Sequence, residues 1–147
     1  MDARSNRKPK AERKTQIDGL RILVAEDDKI LRQLLQEALE TGGAEVVVTA
    51  SGEHAMDAFF RARALDDAFD AALIDVRLGG LGGVETLTRL RAADAVVRLI
   101  AISGTYVDAP TSRMFSDRHI DFLRKPFDLA EVIHRLANEE GDAGAVD

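Results

Sequence analysis

The sequence predicts an α/β fold in which a five-stranded parallel sheet is covered by helices on both faces. Short apolar runs alternate five times with longer segments whose apolar residues recur at helical spacing. This alternation builds a doubly wound sandwich, because each right-handed crossover lays a helix against the sheet. A length of 147 residues fits one domain, and 46% apolar residues suffice for its core.

The first strand and helix come after a polar opening segment. The strand is predicted at Arg21–Ala25, an apolar run that stops at Glu26, Asp27 and Asp28. Gly42 and Gly43 are placed to end the helix that follows. The apolar residues of that helix repeat at helical spacing: Ile30, Leu31, Leu34, Leu35, Ala38 and Leu39.

The second and third strands are separated by one helix. Glu45–Thr49 is rich in β-branched residues and predicts a strand, and Ser51 is a suitable N-cap for the next helix. An apolar run over 71–74 leads to Asp75, which ends the third strand before the glycine-rich segment 79–83. The side chains of the second helix that are predicted to face the core are Ala55, Ala58, Phe59, Ala62 and Leu65. A short third helix is marked by Val84, Leu87 and Leu90.

The last two strands complete the predicted sheet. The fourth strand, over 96–102, ends at Ser103 and Gly104. Segment 108–117 has a thin apolar pattern, although Pro110 fits the first turn of a helix. The fifth strand covers 120–123, and Asp128 with Glu131 forms a capping-box-like start for the last helix. That helix is predicted to bury Leu129, Val132, Ile133 and Leu136.

Charge is divided unevenly between the start of the chain and the rest. Residues 1–18 carry six basic and three acidic side chains, so the remainder holds a charge of −9 within a net charge of −6. Because it lacks apolar periodicity, this basic arm is predicted to be disordered, and a solvated leader is favoured over a contact with nucleic acid. We therefore expect one domain at 19–138 and a frayed tail at 139–147.

The composition excludes several classes of protein. The absence of cysteine excludes a disulfide framework and a thiolate metal site. No apolar run approaches the ~18 residues of a membrane span, and the N-terminus lacks the apolar core of a signal peptide. An acidic body with one tyrosine and no tryptophan suits nucleic acid poorly. We expect a cytoplasmic protein with no membrane span and no DNA-binding domain.

Polar side chains follow four of the predicted strands. In the flavodoxin-like order 2-1-3-4-5, the first and third strands are neighbours, and ligands bind at the carboxyl edge of the sheet. Glu26 and Asp27 would therefore lie beside Asp75. Ser103, at the end of the fourth strand, and Lys125, after the fifth, reach the same edge. Alone, each of these residues would be an ordinary cap, turn or loop residue; together they favour one site.

This set of side chains suits phosphoryl chemistry. Three crowded carboxylates repel one another unless a cation lies among them or their pKa values shift. An all-oxygen site with few protein ligands favours Mg²⁺. Asp75 could then attack a phosphoryl group as a carboxylate nucleophile, while Mg²⁺ and Lys125 neutralise the charge of the transferred group. The hydroxyl of Ser103 could donate to a phosphoryl oxygen.

Taken together, these residues resemble the receiver domains of two-component response regulators, and the resemblance covers about residues 20–137. It implies that Asp75 accepts the phosphoryl group and that Glu26 and Asp27 are the acidic pair. It further implies that Ser103 is the switch hydroxyl and that Lys125 is the lysine of the site.

The same resemblance implies a ligand set and a reporter residue. The direct Mg²⁺ ligands would be Asp27, Asp75 and the backbone carbonyl of Arg77, with Glu26 acting mainly through water. Phe122 matches the aromatic residue whose rotamer reports phosphorylation. The peptide bond between Lys125 and the following proline is implied to be cis.

A receiver of this kind is a regulatory phosphoacceptor and not an enzyme, apart from self-phosphorylation by acyl phosphates and autodephosphorylation. The resemblance implies phosphorylation of Asp75 by a histidine kinase or a histidine phosphotransfer protein. The face made by the fourth helix, fifth strand and fifth helix would then change and control a separate partner protein. We expect a stand-alone receiver that is a monomer or a weak dimer.

The loop after the third strand departs from the family pattern. Gly79 stands where receivers often have proline, so the loop is expected to be more mobile, and Gly82 and Gly83 add to that mobility. Arg77 is a long cation at a position that tunes phosphoryl lifetime in the family. Three roles remain open for it: shielding the phosphoryl oxygens, binding them, or pairing with Glu26 or Asp28.

Two other functions stay open at this point. One is a receiver-like interaction module that acts without phosphorylation, and the loosened loop favours it. The other, weaker alternative is a hydrolase that uses Asp75. An aspartate-based phosphatase would carry a second acid two residues downstream, where this chain has Arg77.

Overall fold

A computed structural model describes residues 8–137 of the chain. A five-stranded parallel sheet in the order β2-β1-β3-β4-β5 forms its centre. The predicted fold class, a flavodoxin-like doubly wound sandwich, is confirmed. In chain order the elements are β1 Arg21–Ala25, α1 Lys29–Thr41, β2 Glu45–Thr49, α2 Gly52–Ala64, β3 Ala71–Asp75, α3 Gly83–Ala93, β4 Arg98–Ser103, α4 Ala109–Asp117, β5 Ile120–Arg124 and α5 Leu129–Ala137.

Two hydrophobic layers cover the two faces of the sheet. Alternate residues of β1 point to opposite faces, so Leu23 packs with α2, α3 and α4, whereas Val24 packs with α1 and α5. Every residue of β3 is buried because this strand lies in the middle of the sheet and is covered on both sides. The central position of β3 fixes the place of its last residue, Asp75.

Several apolar side chains of α1 and α2 are exposed in the structure. On α1, Leu35 and Leu39 are buried, whereas Ile30 and Leu34 are 70% and 49% exposed because they lie on the side of the helix away from the sheet. Leu65 is exposed because α2 ends before it and it serves as the C-cap. The inward direction predicted for Leu65 is therefore wrong, whereas the helical spacing of Ile30 and Leu34 did not specify which of them faces the sheet.

The starts of β4 and α5 also differ from the predicted pattern. Val96 lies outside the sheet and is exposed, because the Asp94 carboxylate accepts hydrogen bonds from the Val96 and Val97 N–H groups and β4 begins only at Arg98. Leu129 is partly exposed in the first turn of α5, whereas Val132 and Leu136 are buried. The Asp128 carboxylate accepts from the Glu131 N–H at 2.8 Å, as the capping-box pattern predicts.

Residues 8–18 are folded against the domain, which corrects the expectation of a disordered arm for this part of it. Ile17 is fully buried in the layer beneath α1. Lys8 and Asp18 form an ion pair at 2.8 Å, and the Gly19 N–H donates to the Gly43 carbonyl. Disorder was predicted here because a single buried side chain, Ile17, produces no apolar periodicity in the sequence. The remainder of the predicted arm and the predicted C-terminal tail lie outside the described residues.

Arg91 joins α3 to the turn between α4 and β5. Its guanidinium donates hydrogen bonds of 2.8–3.1 Å to the carbonyls of Asp94, Val97, Arg118 and His119. Burial lowers the pKa of Arg91, against the opposing effect of Asp94. A single side chain thus satisfies carbonyl groups of two separate loops.

Replacing Arg91 with alanine is expected to lower the free energy of unfolding by about 2 kcal/mol, because partly buried carbonyls lose a charged donor. Urea denaturation measures the change. The matched control is Arg89→Ala, which removes only an exposed ion pair with Glu85 and should change stability by about 0.5 kcal/mol or less. Equal effects of the two substitutions would contradict this role of Arg91.

Candidate functional site

Three carboxylates meet at the carboxyl edge of the sheet. Oxygen atoms of Glu26, Asp27 and Asp75 lie within 4.8 Å of one another. The pairing of β1 with β3 brings them together, since Ala25 and Ile74, the residues just before Glu26 and Asp75, are partners in the register. Glu26 and Asp75 are buried, whereas Asp27 is exposed. The sequence prediction that these three residues converge is therefore met in the structure.

Lys125 reaches the carboxylate cluster from the end of β5. Its Nζ lies 3.1 Å from Asp75 Oδ2 and 3.1 Å from Glu26 Oε1. Although burial alone would lower it, the neighbouring Glu26 and Asp75 carboxylates raise the pKa of Lys125 above its usual value. The ammonium group is therefore held charged between two buried acids. The Lys125–Pro126 peptide bond is cis, as the resemblance implied.

Glu26 carries the strongest electrostatic perturbation of the site. Burial, together with the neighbouring Asp75 carboxylate, raises the pKa of Glu26 to about 7 against the opposing effects of the Asp28 N–H and Lys125. The Asp28 N–H donates to Glu26 Oε2 at 3.0 Å. Near neutral pH, Glu26 therefore holds a proton in a fraction of molecules when no further cation is nearby.

The donor set fits a small, hard divalent cation. Glu26 Oε1 is a buried oxygen that has an ion pair with Lys125 but no hydrogen bond of suitable geometry. All the side-chain atoms available to an ion here are carboxylate oxygens, and one of them, on Asp27, faces solvent. Mg²⁺ keeps several waters and takes one or two protein carboxylates, so a half-open oxygen site suits it.

The loop after Asp75 is tied back to the site. The Arg77 N–H donates to Asp75 Oδ1 at 2.8 Å, and the Arg77 guanidinium donates to Thr105 Oγ1 at 3.1 Å. Among the residues that the structure describes, Arg77 forms no ion pair with Glu26 or Asp28. The structure therefore does not adopt the ion pair of Arg77 with Glu26 or Asp28 that the sequence left open. Nothing in the sequence indicated that Thr105 would be the partner of the Arg77 guanidinium.

Close packing of the backbone requires a glycine at position 83. An added Cβ at Gly83 would lie 2.0 Å from the Asp75 carbonyl oxygen and 2.6 Å from Val76 Cα. Glycine thus lets the start of α3 approach the end of β3. The need for glycine at position 83 was missed, because sequence shows a glycine but not the backbone that lies against it. The mobility expected from Gly82 and Gly83 stays a prediction. Gly79, in contrast, has nothing within 4 Å of such a Cβ.

Ser103 and Phe122 lie on the same face of the sheet, Ser103 at the end of β4 and Phe122 in β5 beside Ala101. The Ser103 hydroxyl donates to the Thr105 carbonyl and accepts from the Thr105 N–H, both at 3.1 Å. Phe122 is partly buried and stacks on Phe115, with ring centroids 6.4 Å apart. The structure therefore places Ser103 at the site edge with its hydroxyl engaged by the following loop, and Phe122 in the adjoining core layer.

The sequence matches the family model described as the response regulator receiver domain over residues 22–137. The chain belongs to this family. Receiver domains are regulatory phosphoacceptors of two-component signalling and bind Mg²⁺ at the acidic pocket, so the acidic cluster of this receiver domain has the family's composition.

The curated relatives that this receiver domain matches are longer proteins. It is 34% identical over 118 residues to the transcriptional regulatory protein CpxR of Escherichia coli (strain K12), covering 79% of this chain and 47% of the relative. It thus spans about half the length of that relative. In the part of the chain that the structure describes, no helix is long and apolar enough to cross a membrane.

Solved structures share the fold of this receiver domain. The receiver domain of the Francisella response regulator 1452 matches with a TM-score of 0.66 and 26% identity, covering 80% of this chain and 93% of that chain. The receiver domain of the histidine kinase CKI1 from Arabidopsis thaliana, complexed with Mg²⁺ and BeF₃⁻, matches with a TM-score of 0.67 and 23% identity, covering 84% and 93%. The second likeness shows the fold alone.

Proposed function

We propose that this receiver domain is a switch controlled by reversible, Mg²⁺-dependent phosphorylation of Asp75. The observation that carries the proposal is the buried Asp75 carboxylate, which lies between the Lys125 ammonium and the acidic pair Glu26 and Asp27. The donor is a histidine kinase or a histidine phosphotransfer protein. The site offers carboxylate oxygens, one of them on the exposed Asp27, which agrees with this choice of cation.

Asp75 is the nucleophile of the transfer. An oxygen of its carboxylate bonds to phosphorus, the bond between phosphorus and the donor nitrogen breaks, and the electron pair of that bond stays on the departing imidazole. The Arg77 N–H holds Oδ1 and the Lys125 ammonium holds Oδ2, so the carboxylate is fixed in one orientation. Orientation of this kind lowers the entropic part of the barrier.

Charge neutralisation comes from the groups around Asp75. Bound Mg²⁺ supplies positive charge against the phosphoryl oxygens, and Asp27, Asp75 and the Arg77 carbonyl would hold it, with Glu26 acting through water. Lys125 stays charged because Glu26 and Asp75 raise its pKa, so it can follow a phosphoryl oxygen as the negative charge moves outward. Lys125 and the residues that would hold Mg²⁺ thus neutralise the negative charge of the phosphoryl group during the transfer.

The signal leaves the site through Ser103 and Phe122. A phosphoryl oxygen on Asp75 gives the Ser103 hydroxyl a charged acceptor, which is stronger than the neutral carbonyl of Thr105 that it now uses. Inward movement of Ser103 opens space for Phe122, whose ring already packs beside β4 and on Phe115 of α4. The equilibrium between conformations of the α4–β5–α5 face therefore shifts, and a partner protein recognises that face.

The metal requirement tests this function. Radioactive acetyl phosphate should label the wild-type chain in Mg²⁺ and fail to label it after chelation with EDTA. Asp27→Asn removes one charged ligand oxygen and should raise the Mg²⁺ concentration needed for half-maximal labelling by roughly tenfold or more. Asp57→Asn, an exposed acid paired with Arg61 on α2, is the control and should behave as wild type.

Two results would contradict the proposed function. Labelling that proceeds equally well without a divalent cation would exclude the metal-assisted mechanism. A wild-type chain that binds Mg²⁺ but takes no label from acetyl phosphate or from any phosphorylated histidine protein would favour an interaction module that acts without phosphorylation.

A further inference from the structure

An open groove of about 390 Å³ lies between α2 and α3. Four of its lining residues come from α2 and form one stripe along about two turns of that helix, because they stand at positions i, i+3, i+4 and i+7: Glu53, Met56, Asp57 and Phe60. Leu81, in the loop before α3, and Arg89, on α3, complete the lining. These six residues define the α2–α3 groove, whose length suits a helical segment.

The α2–α3 groove presents apolar surface that the described part of the domain leaves uncovered. Phe60 is 39% exposed, although its ring packs edge-on against Phe59 with the centroids 5.7 Å apart. Met56 is partly buried and packs against the core layer, and Leu81 is partly buried as well. An aromatic ring beside a methionine and a leucine is suited to receive apolar side chains of a partner.

The charges of the α2–α3 groove leave one acid without a counter-charge. Asp57 and Arg89 each form an ion pair with a neighbour on their own helix. Glu53 is exposed, and within residues 8–137 it forms no ion pair. Its carboxylate lies against Gly80, where an added Cβ would collide with it, so it is placed at the end of the groove next to the loop. That end of the groove is therefore complementary to a cation.

We propose that the α2–α3 groove docks an amphipathic helix of a partner protein, with apolar residues on one face and a lysine or arginine beside them. The apolar face lies along Met56 and Phe60, and the cation pairs with Glu53. A helix is favoured over an extended peptide because α2 and α3 offer no strand edge to which such a peptide could add. A second copy of this chain is disfavoured, because its net charge of −6 repels its like.

This docking surface is separate from the α4–β5–α5 face and does not require a phosphoryl group on Asp75. The groove is formed in the unphosphorylated protein, between two helices that pack on the same core layer. The inference therefore goes beyond the proposed function, and it can be tested without labelling Asp75. A receiver domain with two such surfaces can hold one partner while its other face signals to a second.

Peptide binding to the full unphosphorylated chain tests the charge preference. The probe is a fluorescent amphipathic helical peptide with leucines at three- and four-residue spacing and lysines beside them. Its counterpart carries glutamates in place of the lysines. Fluorescence anisotropy should show that the lysine peptide binds roughly tenfold or more tightly than the glutamate peptide. The difference should shrink at high salt, because the charges that cause it are exposed.

Two substitutions locate the binding site, each with a matched control. Phe60→Ala should weaken binding of the lysine peptide by roughly tenfold or more, whereas Leu65→Ala, an exposed apolar residue at the end of α2, should not. Glu53→Gln should weaken it by roughly two- to fivefold, whereas Glu37→Gln, an exposed acid on α1, should not. Circular dichroism checks that each variant is folded, and Glu53→Gln, a surface change of matched size, tests the site even if Phe60→Ala is unfolded.

Amide NMR signals identify the surface directly. Titration with the lysine peptide should shift the signals of Met56, Phe60 and Leu81 and leave those of α1 and the α4–β5–α5 face in place. Equal affinity for the two peptides, no binding of either, or shifts confined to another face would each overturn the proposal. Sedimentation as a dimer that Phe60→Ala converts to a monomer would assign the groove to a second copy and would also overturn it.

Discussion

Gly83→Ala is expected to lower the free energy of unfolding by about 3 kcal/mol, the upper end of the cost of overpacking. The added methyl group would lie 2.0 Å from the Asp75 carbonyl oxygen, which is backbone and cannot rotate away. The start of α3 must therefore separate from the end of β3. Because Asp75 is the last residue of β3, the same shift should slow its labelling by acetyl phosphate.

The glycine at position 79 provides the matched control, because it lies in the loop just before α3 and a Cβ there meets no atom within 4 Å. Gly79→Ala should leave stability unchanged or raise it slightly, since alanine restricts the unfolded chain. Chemical denaturation of the two variants measures the difference. If Gly83→Ala is as stable as Gly79→Ala, the close approach of α3 to β3 does not require a glycine at position 83.

Asp75→Asn is expected to abolish labelling by acetyl phosphate. An amide has no carboxylate oxygen to form the acyl phosphate, and its size is otherwise matched, so the fold is kept. Without a divalent cation, the variant loses the ion pair with Lys125 but also relieves the repulsion with Glu26 and Asp27. Its melting temperature should therefore not fall below that of wild type by more than a few degrees.

The control for this substitution is Asp117→Asn, which changes an exposed acid on α4 and should leave labelling intact. Label is counted after gel separation under neutral conditions, and melting is followed by circular dichroism. Labelling of Asp75→Asn at the wild-type level would assign the phosphoryl group to another residue.

Strand ends were the most predictable part of this protein. Apolar runs that stop at Asp75 and at Glu26 identify buried parallel strands, and the rule that ligands bind at the carboxyl edge then brings these side chains together. Lys125 and Ser103 followed from the same rule. The strand order itself depended on the flavodoxin-like pattern rather than on any single residue.

Features that depend on contact between distant backbones were not predictable. Periodicity places Ile30 and Leu34 on an apolar stripe, yet the part of that stripe that meets the sheet is decided by how α1 is rotated about its axis. Gly83 looks the same as Gly79 in the sequence, and only the position of the Asp75 carbonyl separates them. No sequence pattern indicated the contacts of Thr105, because its partners are Ser103, two residues earlier, and Arg77 in another loop.

The most direct measurement is chemical mapping of the phosphorylated residue. The chain is incubated with acetyl phosphate and Mg²⁺, the acyl phosphate is reduced with borohydride, and the digested peptides are sequenced by mass spectrometry. The account predicts reduction of a single aspartate to homoserine, at position 75, which depends on Mg²⁺. Reduction at Asp27, at Asp28 or at any other acid, or the absence of any reduced residue in a chain that binds Mg²⁺, would contradict it.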